Sequence, residues 1–82
     1  DNIQVNAIAP GFMATPLSQP VWADPYKAEW LRSRIPQRRP GQPDELVGAL
    51  LLLASTASTY MTGQTVVVDG GFLAGGSWVE DQ

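Results

Sequence analysis

Two short apolar runs, one near each end of the chain, have the pattern of buried strands. Residues 3–9 alternate partly between β-branched and polar positions, and residues 64–68 read Gln-Thr-Val-Val-Val. Neither run contains a charged residue, which favours burial on both faces, as in a parallel sheet. Pro10 lacks the N–H that a central strand donates, so the first strand is predicted to end at about Ala9.

Between these runs, the polar and apolar positions predict two helices in the first half of the chain. Thr15 precedes a proline, which is a helix-start signal, but Pro20 interrupts the helix and keeps it short. Asp24 followed by Pro25 repeats the signal more strongly. The pattern predicts a second helix over residues 25–33, ended by the next proline along the chain.

The strongest helical pattern begins at Pro43 and runs to about Ser55. Asp44 and Glu45 lie near its amino end, where the helix dipole favours negative charge. Apolar side chains then cover nearly the whole circumference, so this helix has to be buried on two sides. A chain of 82 residues has too little mass to do this, so we expect a partner subunit or further protein to cover it.

The order strand, helices, strand describes a crossover between two parallel strands, which is typical of the α/β class. In such folds, ligands bind outside the carboxyl ends of the strands. That position is the stretch from Asn6 to Thr15, where Gly11 permits a backbone geometry or a close approach that a Cβ would block. We therefore expect the functional site at this corner.

Composition excludes several classes of function. The net charge is −3 with five Lys and Arg residues, which argues against a nucleic-acid surface. The sequence has no cysteine and no histidine, so it offers no disulfide, no thiolate or imidazole metal site and no Ser-His-Asp triad. The longest apolar run, residues 49–54, is far shorter than the roughly 20 residues of a membrane span. These features fit a cytoplasmic protein, and the start at Asp1 close to a strand suggests a segment of a longer one.

Five blocks of sequence, in matching order and spacing, resemble the C-terminal part of a short-chain dehydrogenase/reductase. They are Asn6-x-Ile8-x-Pro10-Gly11-x-x-x-Thr15, Arg39-x-Gly41-x-Pro43-x-Glu45, Leu53-Ala54-Ser55, Thr62-Gly63-Gln64 and Val68-Asp69-Gly70-Gly71. Within the family, the ending from Phe72 to Trp78 is most similar to the gluconate 5-dehydrogenase-like group, followed by the 3-oxoacyl-carrier-protein reductases. The resemblance implies that residues 1–82 are the C-terminal segment of one Rossmann-like domain, with a doubly wound parallel sheet.

The resemblance also implies a function, NAD(P)-dependent hydride transfer between nicotinamide and an alcohol or carbonyl carbon. A sugar acid or polyol is the expected substrate. The family's glycine-rich dinucleotide fingerprint and its Tyr-x-x-x-Lys pair are absent from this sequence. No catalytic residue is therefore assigned in this chain, and the isolated 82-residue chain is expected to be inactive. A non-catalytic interaction or oligomerisation module is the alternative function.

The resemblance assigns four residues to the nicotinamide side of an NAD or NADP site: Pro10, Gly11, Met13 and Thr15. The first two would let the backbone pack against the nicotinamide. The Met13 backbone would bond the carboxamide, and Thr15 could donate its hydroxyl to the carboxamide or the pyrophosphate. The alternative is that Pro10 and Gly11 only end the strand and that Thr15 only caps a helix.

Residues 12–42, called the lid segment below, are expected to cover the substrate. Trp22 and Trp30 are candidates for packing against it, and Arg38 or Arg39 for pairing with a carboxylate. The alternative is that the tryptophans fill core. The arginines would then be solvated or would pair with the acidic start of the next helix.

Residues 43–71, called the interface segment below, are expected to hold a subunit-interface helix and the last strand. The implied partners are the N-terminal half of the same fold and further copies of the chain, as a dimer or tetramer. No nucleic acid or membrane partner is expected. Asp69 beside two glycines is predicted to be a strand-end turn, and no metal site is predicted. The tail from Phe72 to Gln82 is predicted to be irregular, with Trp78 crossing to a neighbouring subunit.

Overall fold

The computed structural model describes residues 3–75, and Trp78 with the rest of the predicted tail lies outside them. The chain has the α/β order that its sequence predicts, with two strands separated by helices. In chain order the elements are β1 (Ala7–Pro10), α1 (Gln19–Ala23), α2 (Pro25–Arg34), a 3₁₀ turn (Pro43–Leu46), α3 (Val47–Leu53), a 3₁₀ turn (Thr56–Ser58), β2 (Thr65–Val68) and α4 (Phe72–Gly75).

The two strands pair in parallel along their full length, so that Pro10 lies opposite Val68. The Ala7 N–H donates to the Gln64 carbonyl at 2.9 Å, and the Gly11 N–H donates to the Val68 carbonyl at 2.9 Å. Backbone N–H groups point alternately to the two sides of a strand. The N–H groups of the odd-numbered residues therefore point toward β2, and the backbone nitrogen of Pro10 lies on the other side. The prediction that the strand ends before Pro10 is therefore wrong, since this ladder never uses the N–H that proline lacks.

The first strand begins at Ala7, four residues later than predicted. Upstream of it, side chains replace part of the regular ladder. The Val5 N–H donates to the Thr62 hydroxyl at 3.1 Å, and the Asn6 side-chain oxygen accepts from the Gln64 N–H at 3.0 Å. These bonds hold the entry to β1 beside the entry to β2 without forming a strand there.

The first helix begins three residues later than its sequence signal indicates. Ser18 is the N-cap of α1, and Pro20 lies in the first turn, where its missing N–H is not needed. Pro20 therefore helps to start the helix, and the prediction that it interrupts one is wrong. Thr15 forms a turn upstream of α1 and does not cap it.

The second helix matches its prediction closely. The Asp24 carboxylate accepts hydrogen bonds from the N–H groups of Tyr26 and Lys27, at 3.0 and 3.2 Å. These bonds satisfy two of the donors that every helix start leaves without an intrahelical partner. At the other end, Ile35 adopts an extended conformation before the next proline.

The buried apolar side chains among residues 3–75 all come from the lid segment. Ala28, Leu31 and Ile35 are 2%, 5% and 2% exposed, and they lie on or directly after α2. By contrast, Leu50 and Leu51 on α3 are 56% and 62% exposed. As the sequence predicts, α3 carries more apolar surface than residues 3–75 cover.

The residues after β2 form a capped helical turn. The Asp69 carboxylate accepts from the N–H groups of Gly71 and Leu73, both at 2.9 Å, and so starts α4. The predicted irregular tail is therefore helical over Phe72–Gly75. Asp69 is a strand-end turn as predicted. Within residues 3–75, no group of three or more acidic, histidine or cysteine side chains could hold a metal ion.

None of the helices between residues 3 and 75 is both long enough and apolar enough to cross a bilayer.

Candidate functional site

An open cavity of about 700 Å³ lies between the carboxyl end of β1 and the helices of the lid segment. It brings together three of the four predicted cofactor residues and both candidate tryptophans. Its lining residues are Gly11, Phe12, Met13, Thr15, Ser18, Val21, Trp22, Tyr26, Lys27, Trp30 and Leu31. The corner predicted from the sequence is thus a concave site, and the described residues leave it open to solvent.

A short backbone bridge joins the two ends of the lid segment at Met13, which lines this cavity. The Gly41 N–H donates to the Phe12 carbonyl at 2.9 Å, and the Ala14 N–H donates to the Gly41 carbonyl at 2.7 Å. In this parallel bridge the backbone groups of Met13 point away from Gly41. The Met13 carbonyl accepts from the Ser18 hydroxyl. No acceptor for the Met13 N–H lies among the described residues, so this donor is available to a ligand.

Gly11 is glycine for a reason that the sequence does not reveal. A Cβ added there would lie 2.6 Å from the Asp69 Cβ and 2.7 Å from the Asp69 Cα. These distances are shorter than any tolerable contact, and the obstacle includes backbone. The absence of a side chain is thus required where the two strands end side by side, whether or not a ligand packs against the same residue.

Pro10 is the one predicted cofactor residue that does not line the large cavity. It lines a smaller cavity of about 290 Å³ on the side where Phe72 and Leu73 begin α4. The Phe12 and Phe72 rings meet edge to face there, with centroids 5.2 Å apart. The structure therefore brings Gly11, Met13 and Thr15 to the large cavity but does not bring Pro10 to it.

Thr15 makes a compact turn with Ser18 at the cavity edge. Its N–H donates to the Ser18 hydroxyl at 3.0 Å, and its own hydroxyl accepts from the Ser18 N–H at 3.3 Å. The Thr15 hydroxyl donates to the Ser18 hydroxyl oxygen, and the distance of 3.4 Å between the two oxygens is long for such a bond. A ligand acceptor could replace this weak contact at little cost.

The far wall of the cavity is the face of α2 that carries Tyr26, Lys27, Trp30 and Leu31. Tyr26 and Trp30 are one turn apart, as are Lys27 and Leu31. The two pairs form adjacent stripes, which together occupy about 140° of the helix circumference on the side of the cavity. Sequence reasoning did not assign Tyr26, Lys27 or Ser18 to the site. The one-turn spacing from Trp30 and Leu31 was the signal that could have found the first two.

The predicted lid arginines do not reach the cavity. Arg39 forms a two-pronged ion pair with Glu45, at 2.8 and 2.9 Å, as the alternative from the sequence anticipates. Arg38 lies 3.9 Å from the Glu29 carboxylate. Neither residue lines the space beside Trp22 and Trp30.

The ion pair between Arg39 and Glu45 changes the acidity of Glu45. The hydrogen bond from the Arg39 guanidinium, followed by that from the Gln42 N–H, lowers the pKa of the Glu45 carboxyl from 4.5 to about 2. The same hydrogen bond raises the pKa of Arg39. Both side chains are about half exposed, so water screens much of the attraction.

Two arginines of α2 lie over the cavity's tryptophans. The Arg32 guanidinium carbon is 6.0 Å from the centroid of the Trp22 ring, and that of Arg34 is 5.1 Å from Trp30. Stacking of this kind fixes the orientation of an indole ring through the attraction between a cation and the ring face. The two rings are therefore held in place from outside the cavity.

Comparison with known proteins places the chain in a family. The sequence model described as enoyl-(acyl carrier protein) reductase matches residues 1–73. The 2-dehydro-3-deoxy-D-gluconate 5-dehydrogenase of Escherichia coli K12 is 51% identical over 73 residues, which cover 89% of this chain and 29% of that enzyme.

Solved structures give the same result. A gluconate 5-dehydrogenase from Burkholderia cenocepacia, in complex with NADP and tartrate, is 46% identical with a TM-score of 0.82, over 88% of this chain and 28% of that one. A 4-hydroxyisoleucine dehydrogenase complexed with NADH is 31% identical with a TM-score of 0.85, over 90% and 30%. The chain spans about 30% of the length of the relatives that it matches. It belongs to the short-chain dehydrogenase/reductase family.

Proposed function

We propose that this chain forms the nicotinamide-side wall and the substrate lid of an NAD(P)-dependent oxidoreductase. The enzyme would transfer a hydride between nicotinamide and an alcohol or carbonyl carbon of a sugar acid or polyol. The observation that carries the proposal is the Met13 N–H, which has no acceptor among residues 3–75 and belongs to a residue that lines a large cavity. The relatives whose structures contain NADP or NADH support the same cofactor.

The residues of this wall fit a nicotinamide cofactor. When bound, the cofactor donates or accepts the hydride. Met13 would donate its N–H to the carboxamide. Thr15 would donate its hydroxyl to the cofactor in place of the 3.4 Å contact with the Ser18 hydroxyl. Gly11 lines the same cavity. Pro10 would bound the site from the α4 side, without direct contact.

The chain's own contribution is binding and orientation. The family's tyrosine and lysine pair, four residues apart, does not occur in this sequence, so proton transfer is assigned to residues outside it. The Trp22 and Trp30 rings, held by arginines on their outer side, would shape an apolar pocket and exclude water. Arg38 and Arg39 have no part in this proposal.

The interface segment would pack against the missing part of the domain and against further copies of the chain, as a dimer or tetramer. Leu50 and Leu51 on α3 are more than half exposed. Burying one leucine is worth about 1.5–3 kcal/mol, so such a face is costly to leave in water. The same exposed helix is the observation that supports the alternative function, a non-catalytic oligomerisation module.

The test uses the full-length polypeptide of the reading frame that contains these residues, compared with the isolated 82-residue chain. We expect NAD(P)-dependent turnover of sugar acids or polyols by the first and none by the second. Turnover by the isolated chain would contradict the assignment of catalysis to residues elsewhere. Self-association of the full-length protein without any nucleotide binding would favour the oligomerisation module.

Replacing Thr15 tests the cofactor wall directly. Thr15→Val removes the hydroxyl and keeps the shape, so we expect the KM for NAD(P)H to rise about 5- to 10-fold, the value of one hydrogen bond. Thr15→Ser keeps the hydroxyl and is the matched control. Equal cofactor KM values for the two variants, at equal thermal stability, would show that Thr15 serves only the turn with Ser18.

A further inference from the structure

The large cavity contains a single formal charge among its lining residues within 3–75, that of Lys27. The other lining side chains are aromatic, aliphatic, hydroxyl-bearing or absent, and no carboxylate is among them. Lys27 is also the only lysine in the whole sequence. The cavity is thus mainly apolar with one cation in its wall.

Lys27 differs from the nearby arginines in its partners. Arg32 and Arg38 lie within 4.0 Å of Glu29, and Arg39 pairs with Glu45. Lys27 forms no ion pair with any residue between 3 and 75. Its ammonium therefore has its charge and all three donors to offer to a ligand.

The place of Lys27 on α2 also suits this role. It lies in the first turn of the helix. There the Asp24 carboxylate accepts a hydrogen bond from the Lys27 N–H at 3.2 Å, which fixes the backbone from which the side chain projects. Leu31, one turn later on the same side of the helix, is buried and also lines the cavity, so this side of α2 faces it. A lysine stem packs along such an apolar surface and projects its charged end beyond it.

We infer that Lys27 binds the carboxylate of an anionic substrate, which makes sugar acids the preferred substrates over neutral polyols. This inference rests on the proposed function. An ammonium and a carboxylate form a charge-assisted hydrogen bond, and no other charged side chain of the described residues lines this cavity to compete for the ligand. The sequence alone assigned this role to Arg38 or Arg39, but both lie outside the cavity and already have carboxylate neighbours.

D-Gluconate and D-glucitol are the substrates for the test, because they share a carbon skeleton and differ in a carboxylate at one end. Kinetics are measured on the full-length protein and on Lys27→Gln, Lys27→Arg and Arg38→Gln. We expect Lys27→Gln to raise the KM for gluconate about 10- to 100-fold relative to that for glucitol, the value of a charge-assisted hydrogen bond. Lys27→Arg should restore most of the preference. Arg38→Gln, the same loss of charge outside the cavity, should leave the ratio of the two KM values unchanged.

Three outcomes would overturn the inference. They are an unchanged KM ratio in Lys27→Gln, a changed ratio in Arg38→Gln, and an unsubstituted enzyme that uses only the polyol. Turnover of neither compound would contradict the proposed function instead. Calorimetric binding of gluconate to the unsubstituted protein and to Lys27→Gln then decides the role of the lysine separately, since equal affinities would overturn it.

Discussion

The lid segment and the interface segment are similar in length, but they differ in how far their apolar side chains are buried. The lid segment buries Ala28, Leu31 and Ile35, the last of these beside Gly70 of the interface segment. The interface segment leaves Leu50 and Leu51 more than half exposed, although α3 is the more apolar helix. The lid segment therefore contributes a small buried core, whereas the described residues leave the apolar side chains of α3 largely uncovered.

The difference follows from the distribution of polar residues around each helix. α2 mixes charged and apolar positions, so it can bury one apolar stripe and leave its charged side chains in water. α3 reads Val-Gly-Ala-Leu-Leu-Leu-Leu and has no polar side for water. A helix with a single apolar stripe can be completed locally, and a helix without a polar face needs a second layer.

The largest expected effect tests the core of the lid segment. Leu31→Ala should lower the free energy of unfolding of the full-length protein by about 2–5 kcal/mol, because it removes a buried side chain and leaves a cavity. Denaturant unfolding measures this value. Leu17→Ala, which replaces a leucine that is 94% exposed, is the matched control and should cost less than about 0.5 kcal/mol. Equal costs for the two variants would mean that the lid has no core of its own.

The next effect tests whether another subunit covers α3. Leu51→Gln should raise the dissociation constant of the oligomer at least about 10-fold, since burial of one leucine contributes about 1.5–3 kcal/mol. Sedimentation velocity at several protein concentrations measures it, and Leu17→Gln in the lid segment is the control. Unchanged association combined with lower stability would place α3 inside the monomer and not between subunits.

The smallest effect concerns the ion pair that joins the two segments. The pKa of Glu45 is lowered by its hydrogen bond from Arg39, so its contribution to stability is present above the usual carboxyl pKa of 4.5 and is lost as pH falls toward about 2. The stability difference between the unsubstituted protein and Glu45→Gln should therefore shrink across that window and stay constant above it. NMR titration of the Glu45 carboxyl gives the midpoint, and Arg39→Gln should move it upward. A midpoint near 4.5 in the unsubstituted protein would contradict the pairing.

Local signals in the sequence were sufficient where the contacts themselves are local. Asp24 before a proline predicted the start of α2, because a cap bonds N–H groups only two and three residues away. The start of β1 could not be predicted in this way. Asn6 and Val5 bond to residues more than fifty positions later, and those bonds decide where the regular ladder begins.

The candidate site shows the same limit. The family pattern pointed to Gly11, Met13 and Thr15, and the structure places them in one cavity. It could not reveal that Gly11 is needed for contact with Asp69, because that contact joins two distant strand ends. That Arg38 and Arg39 lie outside this cavity could not be predicted either, since only the folded chain shows which cations already lie beside carboxylates.

Pro10 also limits how the sheet can continue beyond β1. A strand added along the edge of β1 opposite β2 would find an N–H donor at Ile8 and none at Pro10. Only the Pro10 carbonyl would remain there to accept a hydrogen bond, while β2 stays paired through Gly11. One donor is therefore missing from that edge of the sheet at the carboxyl end of β1, directly before the backbone enters the lid segment.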